Sequence, residues 1–277
     1  MRSVRLFVVG IAVAVFVTLA LPAIAEPQAD EEETPRMKRD TKWGFSIAPY
    51  GWLTGVAGTV VTDGNGIDID IPFEDIFERS RGLYELYFEA RRNKVFMAFD
   101  GTWATLGGEM ETRLVDLDIE VRQRIYDIRV GYEVYNTELG DVIHRPKFDW
   151  QRRGIIDVFV GGRYFQIEPA ITIIGAPGEQ SITDSRIDPF LGLRIGWDMS
   201  YRWAVGFRGD IGGFGIGDAA QLSWQASGEF GFRLSRRVVI IAGYRYLEYD
   251  TVAGEAGDRN GVDLRQQGPI IGVGIKL

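Results

Sequence analysis

The chain has 277 residues, with 31 Lys and Arg against 39 Asp and Glu, a formal charge of −8, and no cysteine. This balance argues against nucleic-acid partners, whose binding relies on Lys and Arg neutralising phosphates. A single histidine and the lack of cysteine leave no disulfide framework and no zinc set, so no cofactor or metal is expected.

At the N-terminus, Arg2 and Arg5 precede an apolar run from Leu6 to Leu21, then Pro22 and the small-x-small triplet Ala23-Ile24-Ala25. That is the layout of a secretory signal peptide over residues 1–25. The run is shorter than the ~20 residues a spanning helix needs. No second long apolar run follows, which excludes a helical membrane protein. Residues 26–42, EPQADEEETPRMKRDTK, are polar and aperiodic and read as a disordered lead-in. The remaining 43–277 form the third unit.

From Trp43 onward the pattern is alternation, the mark of strands with two different faces. Ten main strands are expected at about 43–54, 82–92, 94–106, 115–135, 154–167, 187–199, 202–212, 221–234, 237–250 and 265–277. Asn93, Met199-Ser200-Tyr201 and Ser235-Arg236-Arg237 mark tight turns. Gly107–Arg113, Thr172–Arg186, Gly212–Ala220 and Val252–Leu264 are longer loops. Short turns at one end and longer loops at the other are the arrangement of a transmembrane β-barrel. With ten strands, Asn136–Arg153 becomes an unusually long connection at the turn end. A change of phase at Arg122–Arg124 suggests a bulge. Val56–Val61 and Ile67–Ile71 read as a hairpin and Phe73–Arg79 as a short helix, so the count is ten, or twelve if the hairpin joins the wall.

Alternation alone does not say which face meets water. The charged face carries both signs: Glu85, Glu89, Asp100, Asp157, Asp188, Asp198, Asp210 and Glu229 against Arg91, Arg129, Arg163, Arg194, Arg202, Arg208, Arg233 and Arg245. Arg outnumbers Lys about five to one, which suits paired, partly buried sites because the guanidinium fork binds carboxylates bidentately. Trp and Tyr recur near strand ends, where a membrane barrel carries aromatic girdles. The charged face is therefore expected inside, and all of these charges except Arg129 are carried forward as lumen-lining candidates.

Catalytic chemistry finds little support. His144 falls in the turn-end stretch beside Arg145 and Pro146, not on a loop-end rim where a triad would sit. Arg208-Gly209-Asp210 falls within a strand, and Gly213–Gly217 lacks the strand-to-helix context of a phosphate cradle. Asp63, Asn65, Asp68 and Asp70 imitate a calcium loop only loosely, since Ile67 occupies a ligand position.

The closing strand places Ile271, Val273, Ile275 and Leu277 against Gly272, Gly274 and Lys276, and Gly243–Asp250 reads GYRYLEYD. With the leader, these features resemble the small Gram-negative bacterial outer-membrane β-barrel proteins over residues 43–277. Leu277 departs from the aromatic that usually ends such chains. The resemblance implies an all-β, antiparallel up-and-down transmembrane barrel exported through the periplasm to the outer membrane. It also implies insertion by periplasmic chaperones and barrel-assembly machinery, with outer-membrane lipid and lipopolysaccharide as neighbours. The expected role is non-enzymatic, structural or in surface interaction; the alternative is a narrow, porin-like passive channel for small solutes or ions.

Overall fold

The computed structural model describes residues 42–277 apart from 63–64, 79, 112–115, 146–147, 174–178, 182–183 and 253–260. The expected leader and all of the lead-in but Lys42 lie outside the described residues, as do Asp63 and Arg79. The elements in chain order are β1 (Gly44–Trp52), β2 (Gly55–Thr62), β3 (Asn65–Ile71), α1 (Phe73–Glu78), β4 (Ser80–Arg92), β5 (Val95–Glu111) and β6 (Asp116–Arg145). They continue with β7 (Phe148–Ile173), β8 (Glu179–Ser181), β9 (Asp184–Asp198), β10 (Trp203–Gly213), β11 (Leu222–Arg233), β12 (Val238–Asp250) and β13 (Gly261–Lys276).

Among the described residues, ten antiparallel strands close a ring in the order β1-β4-β5-β6-β7-β9-β10-β11-β12-β13. Closure is made by β13 against β1, with Ile47 opposite Ile275 and Trp52 opposite Ile270. Ring closure removes the two unpaired edges an open sheet would expose. The hairpin β2–β3 stands outside the ring: β2 pairs with the loop-end part of β13, Gly261–Gln267, beyond the point where β1 stops. The count is therefore ten in the wall plus an attached hairpin.

Two expectations need correction. Asn136–Arg153 is not a connection. β6 and β7 run on past the barrel as a paired ribbon to Arg145 opposite Phe148, with register shifts at Glu133/Tyr135 and Leu139/Ile143. Their neighbours stop earlier, β5 at Val95 opposite Tyr132 and β9 at Trp197 opposite Gly154, so the ribbon protrudes at the turn end. Polar residues on both its faces hid the strand character. There is also no bulge at Arg122–Arg124: pairing there is continuous with both β5 and β7. The strands simply extend beyond the belt, and the outward face turns from apolar to polar. For the same reason β5, β7 and β13 absorb much of the expected loops.

The outer surface is apolar where a soluble barrel would be wet. Ile128, Val160, Ile187, Phe207 and Ile271 all point outward and are more than half exposed. On a closed antiparallel barrel, a continuous outward apolar band of this kind is the lipid-facing belt. Aromatic residues bound the belt at both ends. Towards the loops, Tyr126 lies 5.3 Å from Trp103 and 5.7 Å from Tyr164, and Trp224 stacks on Tyr246 at 4.6 Å. Towards the turns, Trp203 packs on Phe232 at 4.9 Å, and Trp43, Tyr132 and Trp197 are exposed at the same end.

Candidate functional site

Side chains of a barrel strand point alternately in and out, so every second residue of each wall strand meets in the interior. That interior is layered. At its centre, Asp127 is fully buried and receives two hydrogen bonds from Arg163, Nε at 2.7 Å and Nη2 at 3.0 Å, and one from Arg208 at 2.8 Å. Asp210 closes the set, 2.9 Å from Arg163 and 2.8 Å from Arg208. Arg208 also reaches Asp100 at 3.3 Å. Tyr50 donates to Asp100 at 2.5 Å and accepts from Arg245 at 3.0 Å, while Arg245 donates to Gln225. The tier thus crosses the lumen from β6 and β7 to β1 and β12.

A second tier lies nearer the turns. Arg91 donates to Asp157 at 2.8 Å and Arg194 donates to the same carboxylate at 2.7 Å. Glu89 accepts from Arg194 at 2.7 Å and from the Tyr87 hydroxyl at 2.5 Å. Leaving one such charge without its partner costs several kcal/mol, roughly 3–5 for a buried pair. The carboxylates and guanidiniums therefore specify one another.

The guanidinium faces are also used. Arg91 and Arg194 each lie 4.7 Å from the Phe96 ring, Arg163 lies 5.1 Å from Phe190, and Arg208 lies 5.5 Å from Phe159. Stacking on rings while pairing edge-on to carboxylates is a geometry a lysine cannot adopt, which is the physical basis of the Arg excess. Room for the rings comes from glycine on the facing strand: a Cβ on Gly131 would fall 2.3 Å from Phe96, and one on Gly192 2.7 Å from Phe159.

Towards the loops the interior becomes dry. Trp52, Ile125, Phe165, Leu247, Tyr249, Leu264 and Ile270 form a buried apolar cluster inside the ring. Arg186 spans it, 4.5 Å from the Phe165 ring and 4.9 Å from Tyr249. Asp188 accepts from the backbone N–H of Ala220 at 2.8 Å, which draws the β10–β11 loop into the mouth, where Ala220 is fully buried. α1 lies over a small recess that Phe73, Ile76 and Phe77 share with Trp52 and Glu85. Glu85 is buried there, and no side chain donates to either of its oxygens.

Most of the lumen candidates point inward. Glu85, Glu89, Arg91, Asp100, Asp157, Arg163, Asp188, Arg194, Arg208, Asp210, Glu229 and Arg245 line the interior as described. Asp198 and Arg233 pair with each other close to the turns, where Arg233 also donates to the carbonyls of Ser200 and Tyr201. Arg202 does not line the lumen. It lies in the β9–β10 turn, exposed, 6.0 Å from the Phe232 ring, because strand parity lapses once β9 has ended at Asp198. Sequence reading missed Asp127, the centre of the network, as well as Glu133 and Arg186. Arg129, outside the lumen candidates, is 4% exposed inside the barrel. The signal that could have found Asp127 is its spacing of two from Ile125 and from Arg129 on one uninterrupted strand.

His144 lies near the tip of the protruding ribbon, exposed and opposite Asp149 in register. Among the described residues there is no group of three or more His, Cys, Asp or Glu that could hold a metal. Arg208 and Asp210 point into the lumen and are committed to the central tier.

A cavity of about 170 Å³ remains at mid-height, beside the central tier on the β10–β13 side. Arg129, Arg208, Arg245, Asp100 and Glu229 border it, with Gly206 in its wall.

No family profile and no curated protein matches the sequence. Among solved structures, the chain is similar to the translocator domain of the autotransporter NalP from Neisseria meningitidis, at 12% identity over 86% of this chain and 90% of that one, with a TM-score of 0.34. It is similar to Ail, the attachment invasion locus protein of Yersinia pestis, solved with the heparin analogue sucrose octasulfate, at 12% identity, 84% and 99% coverage and a TM-score of 0.34. It is also similar to a Pseudomonas aeruginosa FadL homologue, at 8% identity, 86% and 90% coverage and a TM-score of 0.28.

Proposed function

We propose that this chain is a non-enzymatic outer-membrane β-barrel whose lumen is sealed, and which serves as an envelope-stabilising anchor for its loop-end surface. The observation that carries this reading is the double closure of the interior. The Asp127–Arg163–Arg208–Asp210 tier spans the middle, and the Trp52–Leu247–Phe165 layer lies between it and the loops. A hydrated path for ions that passed beside the tier would still have to break the apolar layer. What remains for function is the exposed rim: the β2–β3 hairpin, α1 and the polar outer faces of β6 and β7, where Arg122 pairs with Glu120 at 2.6 Å and Glu168 at 2.9 Å. In this reading lipopolysaccharide and membrane lipid are the partners of the belt and rim. Periplasmic chaperones and the barrel-assembly machinery deliver the chain.

The test is planar-bilayer recording of the purified protein. The expected result is a quiet baseline, also after deletion of Phe73–Glu78, because the apolar layer beneath that helix still closes the pore. Steady single-channel steps in the intact protein would replace this reading with the narrow channel.

A further inference from the structure

The mid-barrel cavity brings a buried cation and an anion, neither held in an ion pair, to the same space. Arg129 is 4% exposed. Its guanidinium lies 5.3 Å from the Tyr87 ring and 5.6 Å from Phe159, and its Nη1 has no hydrogen-bond partner among the described residues. Arg208 likewise leaves Nε unmatched. Glu229, on β11 across the ring from β6, borders the same cavity and forms no ion pair or hydrogen bond among the described residues. Everywhere else in the two tiers, carboxylate meets guanidinium. Here Glu229 feels Arg208, Arg245 and Arg129 across the cavity without an ion pair or hydrogen bond to any of them. A buried donor left unsatisfied is costly and calls for an occupant.

We propose that this cavity binds a small zwitterion, with the ligand's carboxylate on the Arg129 guanidinium and its ammonium towards Glu229. A simple anion would satisfy Arg129 but face the Glu229 carboxylate, and a simple cation would meet the reverse penalty. A short skeleton bearing both charges satisfies both walls. The volume, about 170 Å³, compares with the roughly 150 Å³ of an engineered cavity that admits benzene. That limits the ligand to the size of a small amino acid. Entry is from the turn end, because the loop end is closed by the apolar layer. On that path the inward positions are Ala204 on β10, Gly231 on β11, Ile241 and Val239 on β12, and Gly274 on β13, all uncharged and none aromatic. The bulky tier of Glu89, Arg91 and Asp157 lies on the opposite wall. The entry route rests on the closed loop end of the sealed-pore reading, whereas the site itself does not: channel steps together with saturable alanine binding would sink the seal alone.

Isothermal titration of the full-length protein in detergent tests it, with alanine, acetate and ethylammonium as probes. Alanine is expected to bind, with acetate and ethylammonium at least about tenfold weaker, the loss of one charge-assisted contact. Arg129→Met should weaken alanine by at least about tenfold, and Glu229→Gln should abolish the preference of alanine over acetate. Gly206→Leu provides a variant that leaves every ion pair in place. A Cβ there meets nothing closer than the Ile195 carbonyl at 3.9 Å, so the side chain enters the cavity and should abolish binding while heat-modifiable gel migration is retained. No saturable alanine binding, meaning a cavity filled by water alone, overturns the proposal. So does acetate binding as well as alanine, or alanine binding that survives Gly206→Leu.

Discussion

The middle of β6 and its loop-end third obey the same alternation yet place opposite chemistry on each face. Between Tyr126 and Tyr132 the outward residues are Ile128 and Val130, while Asp127 and Arg129 are buried inside. Between Glu120 and Ile125 the outward residues are Glu120, Arg122 and Arg124, paired with Arg81, Glu168 and Gln166, while Ile125 is buried in the apolar cluster. The ladder does not slip between the two regions. What changes is the solvent outside, from lipid to water. The interior answers in kind: charges can be held inside where lipid shields the wall, and apolar packing closes the barrel where water surrounds it. A barrel strand therefore reports its environment by which face is greasy, not by whether its faces alternate.

Substitutions in the two regions should break this contrast in graded steps. The largest loss is expected from Asp127→Ala, which removes three buried hydrogen bonds and leaves Arg163 and Arg208 to share Asp210; a penalty of about 3–5 kcal/mol should appear as a lower urea midpoint for barrel unfolding, read by heat-modifiable migration. Next, Leu247→Ala in the dry layer should cost about 3 kcal/mol through cavity formation, without exposing a charge. Val160→Arg, on the lipid face, should cost about 2–3 kcal/mol in bilayers. Arg122→Leu, on the outward face of the water-facing third, should change stability by less than about 1 kcal/mol, as exposed ion pairs do. If Val160→Arg and Arg122→Leu proved equally mild in lipid vesicles, the boundary between lipid and water along β6 and β7 would be misplaced.

The protruding β6–β7 ribbon sharpens the same contrast from the other end. Beyond the turn-end girdle its outward and inward positions no longer differ, since both meet water. Val134, Tyr135, Val142 and Ile143 are exposed on it, and Trp150 packs edge-on against Tyr201 at 5.8 Å. With no second face to protect, the alternation that marks the wall strands fades, and Asn136–Arg153 read as a connection for that reason. The same blurring affected Asp127. The run of Arg122, Gln123 and Arg124 imitates a break in phase, which hides the inward direction of Asp127 although it follows Ile125 in register.

Sequence by itself determined the class of the barrel, the positions of its main strands with the choice between ten and twelve left open, and the hairpin and helix after β1, because those features follow from local patterns, above all a period of two repeated over many residues. Only the tertiary structure decided which charges pair, which ring each guanidinium covers, and that Arg129 and Glu229 face one cavity unpaired. Residues from β6 and β11 meet through ring closure, and their separation depends on the shape of the whole wall. No local pattern encodes that distance.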